Sequence, residues 1–200
     1  GLYSPDDITL NATYTPSAAE RTAGFVKLFL TSTGNGLSNP VTDSVLFTIT
    51  TAPTAIAGPD KVTCSNNPTV SINGSVGIAT GGIWTGGTGT YTPSDTNLAI
   101  QYTPTPAEIG AGSVTLTLTT TGNGLCLAEN DEMTIFFDPS PTANAGPDQT
   151  VCANNANASL NGSVTIATGG SWTGGGGFFT PNPNTLNAVY TPTPVSYTHL

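Results

Sequence analysis

Positive charge is almost missing from this chain: Lys and Arg number 3 in 200 residues against 12 Asp and Glu, and the formal net charge is −9. Gripping phosphates takes a basic patch, so nucleic-acid binding is excluded. Histidine is reduced to His199 and cysteine to Cys64, Cys126 and Cys152. A Ser-His-Asp or Cys-His centre needs an imidazole or equivalent base beside its nucleophile, and zinc needs clustered ligands such as Cys-Xaa-Xaa-Cys. The cysteines stand 62 and 26 residues apart, so neither chemistry is provided for. No run of about 18 apolar residues offers a bilayer span. The start at Gly1 has neither a basic nor an apolar signal region, so any export signal is expected outside this sequence.

What abounds is 24 Gly, 16 Pro and 37 Thr. Gly and Pro are the poorest helix formers and Thr is β-branched, so the composition predicts short strands joined by tight turns and no helix.

The chain is also periodic, and the period organises everything else. Ala57-Gly-Pro-Asp60 returns as Ala145-Gly-Pro-Asp148, Cys64 as Cys152, Trp84 as Trp172 and Tyr102 as Tyr190, always 88 residues on. Residues 57–106 and 145–194 share 30 identities in 50 positions without a gap. Tyr14-Thr-Pro16 and Thr33-Gly-Asn-Gly-Leu37 precede Tyr102-Thr-Pro104 and Thr121-Gly-Asn-Gly-Leu125 by the same 88. Residues 1–52 thus read as the rear of one unit, 53–140 as a complete unit and 141–194 as the front of a third. Val195-Ser-Tyr-Thr-His-Leu200 breaks the pattern and resembles a translated sequencing-library adapter, so 195–200, with the lone His199, is expected to be non-native.

Within the complete unit, Val114-Thr-Leu-Thr-Leu-Thr119 alternates strictly, which puts Val114, Leu116 and Leu118 on the buried face of an antiparallel strand. Val26, Leu28 and Leu30 repeat that face in the first unit, and Met133, Ile135 and Phe137 form another. Further strands are expected at 69–76, 82–85, 88–92 and 98–103, with a short edge strand near 61–64. Six or seven strands in 88 residues suit an all-β, mainly antiparallel sandwich of immunoglobulin type, repeated in tandem. Trp84 and Trp172 fall on the strand where such sandwiches bury a tryptophan, and Tyr102 joins this core; an exposed, sugar-stacking tryptophan is the rival reading. Asn73-Gly74 and Asn161-Gly162 fit either a hairpin turn or a glycine kink within one strand. The complete unit is expected to fold alone and the terminal ones to be incomplete, with little contact between modules across Pro-rich joints such as Asp138-Pro-Ser-Pro-Thr142.

The Ala-Gly-Pro-Asp openings, the Trp of Gly-Gly-Xaa-Trp-Thr-Gly, Tyr-Thr-Pro, and Leu116-Thr-Leu-Thr-Thr-Thr-Gly-Asn-Gly124 resemble the PKD-like (polycystic kidney disease type) immunoglobulin-like modules of giant Bacteroidetes surface proteins, SprB-type gliding-motility adhesins among them. The resemblance covers about 194 of the 200 residues. It implies export by type IX secretion, display at the cell surface and a non-enzymatic role as an adhesive or stalk segment. Its partners would be neighbouring repeats and surface polysaccharide or substratum. A spacer or carbohydrate-binding module of a secreted hydrolase is the alternative that PKD-like domains also allow.

No catalytic residue and no cofactor is expected. Glu108, Glu129, Asp131 and Glu132 could pair as a glycosidase would need, but Glu20 and Asp43 repeat Glu108 and Asp131, and an active site is rarely copied along a stalk. Asp60 and Asp148, beside the joints, are candidate Ca²⁺ ligands, with a capping or turn role as the alternative. Cys64 and Cys126 share the complete unit; Cys152 repeats Cys64, and its partner would fall at about position 214. One disulfide per unit, Cys64 to Cys126, accounts for the odd count, unless the two strand ends lie at opposite poles and the thiols stay reduced.

Overall fold

Alternation along 113–121 and 130–138 builds the two longest strands of the chain, nine residues each, and their buried and exposed positions alternate as the sequence does. The structure, a computed structural model, describes residues 1–193. It falls into two compact units: Gly1–Lys61 with Thr69–Phe136, and Val62–Pro68 with the chain from Phe137 on. The 195–200 tail and His199 lie outside the described residues.

In the first repeat the elements are β1 (Leu2–Ser4), β2 (Thr13–Thr15), α1 (Ala18–Ala23), β3 (Phe25–Thr31) and β4 (Thr42–Thr48). The middle repeat has β5 (Thr54–Ile56), β6 (Lys61–Cys64), β7 (Val70–Asn73), β8 (Ser75–Gly77), β9 (Gly81–Thr85), β10 (Thr90–Thr92), β11 (Ala99–Thr103), α2 (Pro106–Ala111), β12 (Ser113–Thr121) and β13 (Asn130–Asp138). One of its sheets runs β10-β11-β7 and the other β6-β13-β12-β9, with a β5-β8 pair beside them. Fourth, fifth and second strands on one side, with third, sixth and seventh on the other, is the partition that defines the immunoglobulin sandwich. The middle repeat is an immunoglobulin-like β-sandwich.

Its core is where the two sheets face. Val114 stands opposite Ile135 and Leu116 opposite Met133 on the β12-β13 pair, and Leu118 opposite Trp84 on the β12-β9 pair. Ile100 opposes Ile72 and Tyr102 opposes Val70 in the other sheet. All of these side chains are buried, as expected for Trp84, Tyr102, Val114, Leu116 and Leu118. The indole N–H of Trp84 has no hydrogen-bond partner among the described residues.

Asn73-Gly74 is a kink, not a hairpin. β7 pairs with β11 while β8 pairs with β5, so the chain leaves one sheet and joins another across Gly74. A Cβ at Gly74 would lie 2.7 Å from both Leu118 Cδ2 and Trp84 Cζ2, so only glycine lets the backbone cross the tryptophan. Just beyond, Ala79 N–H donates to the Gly77 carbonyl (2.7 Å), closing a tight turn that holds the exposed Ile78 at φ 66°. Ile166 takes the same conformation, at φ 65°.

Two short helices correct the expectation of none. α1 and α2 have six residues each, and both are closed by capping boxes, Ser17 with Glu20 and Thr105 with Glu108. Gly24 and Gly112 end them in the left-handed conformation. The Ser/Thr-Xaa-Xaa-Glu signal outweighs composition over one and a half turns.

The terminal repeats show what the sandwich needs. The third has β14 (Thr142–Asn144), β15 (Ala158–Ser159), β16 (Ser163–Thr165), β17 (Phe178–Thr180) and β18 (Val189–Thr191). Its β15-β18-β17 sheet and β14-β16 pair reproduce β7-β11-β10 and β5-β8. Yet Gly169–Thr173, nearly identical to β9, forms no strand. β9 is hydrogen-bonded to β12, whereas Gly169–Thr173 has no strand beside it among the described residues. Trp172, expected in a core, is accordingly only half-buried, with its indole N–H on the carbonyls of Thr185 and Leu186 (3.1 and 3.2 Å). In the first repeat the β3-β4 hairpin buries Val26 but leaves Leu30, Val45 and Phe47 exposed.

Gly74→Ala is expected to destabilise the middle repeat by about 1–3 kcal/mol, the usual cost of overpacking a filled core. Gly110→Ala, whose Cβ would meet nothing within 4 Å, is the control and should cause no loss. Urea midpoints of the two variants check this.

Candidate functional site

A polar cluster is built on Glu108. The capping box of α2 brings its carboxylate back over the helix start, and the loop between β9 and β10 comes down onto it. Oε2 accepts from the Thr105 amide (2.7 Å) and hydroxyl (3.0 Å), and Oε1 from the Thr88 amide (2.6 Å) and the Tyr102 hydroxyl (2.8 Å). Tyr102 in turn accepts from the Gly89 amide (2.9 Å). One carboxylate therefore joins the β9-β10 loop, strand β11 and helix α2. Burial alone would raise its pKa, but the donors from Thr105, Thr88 and Tyr102 outweigh this and hold it down at about 2. Burial and the bond to Glu108 push the Tyr102 phenol up, and burial foremost takes Tyr91 to about 12.

The first repeat rebuilds this cluster with Tyr14, Ser17 and Glu20. The hydroxyl of Tyr14 and the amide and hydroxyl of Ser17 hold the Glu20 carboxyl below the usual carboxylate range. Both oxygens of Glu108 accept from donors of the module itself. Two of the other candidate carboxylates are also engaged in structure. Asp131 Oδ2 accepts from the Ala57 amide (2.9 Å), and Glu132 Oε1 from the Thr117 hydroxyl (3.3 Å).

Asp60 Oδ1 accepts from the Thr134 amide (2.8 Å). With Asp131 reaching Ala57, the Ala-Gly-Pro-Asp motif is clamped to β13 by two carboxylate–amide bonds, one contributed from each side. Asp60 thus takes up a backbone amide of β13, and both Asp60 and Asp148 are exposed. No group of three or more His, Cys, Asp and Glu side chains gathers into a possible metal site among the described residues.

The Cys64–Cys126 bridge is not formed, and Cys64, Cys126 and Cys152 are all free thiols. The thiols have other neighbours. Cys126, in the loop after β12, lies 3.2 Å from the Thr50 hydroxyl and 3.6 Å from the Thr51 carbonyl, where the first repeat hands over to the second. Cys64 ends β6 in a bridge with Asn67, which Cys152 copies with Asn155. Arithmetic on the repeat could count the thiols but not aim them.

No protein-family model matches the chain, and no curated protein does. Among solved structures, protocadherin gamma B2 extracellular cadherin domains 1–5 align with 87% of this chain at 12% identity and a TM-score of 0.33. The chain spans 39% of that protein. A likeness this low carries no argument, and the fold rests on the strand order above. No helix among the described residues is long and apolar enough to cross a membrane.

Two measurements check the cluster. Folding lowers Glu108 from 4.5 to about 2, so its stabilisation is complete above pH 4.5 and is lost as pH falls through about 2. Glu108→Gln should cost about 2 kcal/mol at pH 7, the range for hydrogen bonds to a charged group, and flatten the acid limb of the stability profile. Thiol titration of unreduced, denatured protein should return all three cysteines; the native protein should react fastest at the exposed Cys152.

Proposed function

We propose that this chain is a non-enzymatic segment of a large secreted surface protein, in which immunoglobulin-like modules follow one another as a stalk or an adhesive array. The observation that carries the reading is the fate of the periodic carboxylates. Glu20 and Glu108 recur at the same repeat position, and both are consumed in tying a helix, a tyrosine strand and their own cap together. What the 88-residue period propagates is therefore a self-supporting module and not a reaction centre. Modules of this kind extend a chain outward from its anchor and contact one another along it.

The finer reading follows the sequence resemblance: a PKD-like array of the SprB type, exported by type IX secretion in a Bacteroidetes cell, in contact with its own neighbouring repeats and with polysaccharide or substratum. The acidic surface supports a role outside nucleic-acid chemistry. A brief protease treatment of intact cells making the full-length protein tests the proposal. Repeat-bearing fragments should be shed, and cells lacking the gene should attach less to polysaccharide-coated glass. Recovery of the full-length protein from the medium with glycan-hydrolysing activity would favour the hydrolase-spacer reading instead.

A further inference from the structure

The two sides of the β3-β4 hairpin differ in kind. Val26, Leu28 and Leu30 alternate toward the sandwich interior, as Val114, Leu116 and Leu118 do in the complete middle repeat. Phe25, Lys27 and Phe29 on β3, with Ser44, Leu46 and Thr48 on β4, take the opposite face. The middle repeat leaves that face open as well: Thr115, Glu132 and Phe136 are exposed in a sandwich that has both its sheets. Exposure of the outward face is therefore a property of the module.

Its chemistry is peculiar to the first repeat. Phe25 is 56% exposed, Phe29 64% and Leu46 60%. The register sets Leu46 opposite Lys27, Thr48 opposite Phe25 and Ser44 opposite Phe29. The Lys27 ammonium stands 5.3 Å from the centroid of the Phe29 ring. Residues four apart on one strand are separated by about 14 Å, so the two rings and the cation between them span a short oligosaccharide. Beyond Phe29 the hydroxyls of Thr31 and Thr42 pair at 2.9 Å and extend the polar border of the rings.

Charge decides the class of ligand. Lys27 is one of 3 basic residues in a chain of net charge −9, and no carboxylate among the described residues pairs with it. Between the middle repeat and the first, Thr115 is replaced by Lys27 and Glu132 by Ser44. A face with one negative charge thus becomes a face with one positive charge and no acid. One lysine is too little for a nucleic acid or an anionic membrane, which are gripped by clusters of cations. Exposed ring faces bordered by hydroxyls suit sugar rings instead, which offer C–H groups on their faces and hydroxyls at their edges.

We propose that the outward face of β3-β4 binds an acidic polysaccharide, an equatorially linked uronate chain whose sugar rings lie on Phe25 and Phe29 and whose carboxylate meets Lys27. A flat ribbon of sugars matches a flat sheet face, and the cation selects the acidic sugar over the neutral one. The proposal names the ligand class within the adhesive reading and rests on that reading for the encounter with a glycan. Its test uses purified protein, so its failure is separate from a failure of the cell-shedding experiment.

Calorimetry of the 200-residue protein with mannuronate oligosaccharides should show one site whose affinity falls with added salt. The carboxyl-reduced oligosaccharide should bind about fivefold more weakly and without that salt dependence, and Lys27→Gln should remove the difference between the two, as loss of one exposed ion pair does. Phe25→Ala and Phe29→Ala should each weaken both about tenfold, the size of one stacking contact. All three side chains point away from the core, and a transplant guards against a disturbed first repeat. Ser113→Phe, Thr115→Lys, Thr117→Phe, Glu132→Ser and Thr134→Leu, made together in the middle repeat, should add a second site. No binding of the acidic oligosaccharide, equal affinity for the reduced one, affinities unmoved by the three single substitutions, or a folded transplant that still binds at one site would each overturn the proposal.

Discussion

β12 is paired on both edges and faces the opposite sheet, so the middle repeat closes around it. Its backbone gives β9 and β13 their hydrogen bonds, and its inward side chains put Leu118 against Trp84 and Leu116 against Met133. The Trp84–Leu118 contact fixes more than the core. It forbids a side chain at position 74, and the bare backbone there turns β7 out of one sheet and into β8. Hydrophobic burial is non-directional; the close approach of the Trp84 indole to the bare backbone at Gly74 is specific to this crossing.

The three copies separate local from non-local causes, because sequence is nearly held constant while partners change. Gly81–Thr85 is a strand and Gly169–Thr173 is not, although they differ only at Ile83 and Ser171. By contrast the β15-β18-β17 sheet forms as β7-β11-β10 does, since all three of its strands are at hand. Strand propensity here measures fit to a neighbour rather than a preference of the backbone. That is why alternation along 113–121 was legible from sequence, core residues included, whereas the burial of Trp172 was not. Periodicity names an inward face but is silent on whether anything lies inside.

Other features were written in the sequence but masked by a stronger signal. Thr105-Pro-Ala-Glu108 is a capping box with proline at the first helical position, yet the weight of Gly, Pro and Thr across the whole chain argued for no helix at all. Composition averages over 200 residues, and a helix of six needs only its own two ends satisfied. The cysteines erred the other way. Counting one pair per repeat explained the odd number, but a disulfide requires two side chains directed at each other, and Cys126 is turned to Thr50 and Thr51.

What repeats and what varies also separate the inward face of the sandwich from the outward one. On β3 and β12 the inward positions agree residue for residue, Val26 with Val114, Leu28 with Leu116 and Leu30 with Leu118. The outward positions do not: Phe25, Lys27 and Phe29 stand where β12 carries Ser113, Thr115 and Thr117. In the first repeat the Lys27 ammonium lies over the Phe29 ring at 5.3 Å, a cation–aromatic surface. In the second the same face is a hydroxyl row, with Thr115 on Thr134 (3.1 Å) and Thr117 on Glu132 (3.3 Å). Glu108 and Tyr102 have their polar groups committed to the module, and Trp84 is buried in its core. On the outward sheet face, therefore, one scaffold carries two different chemistries.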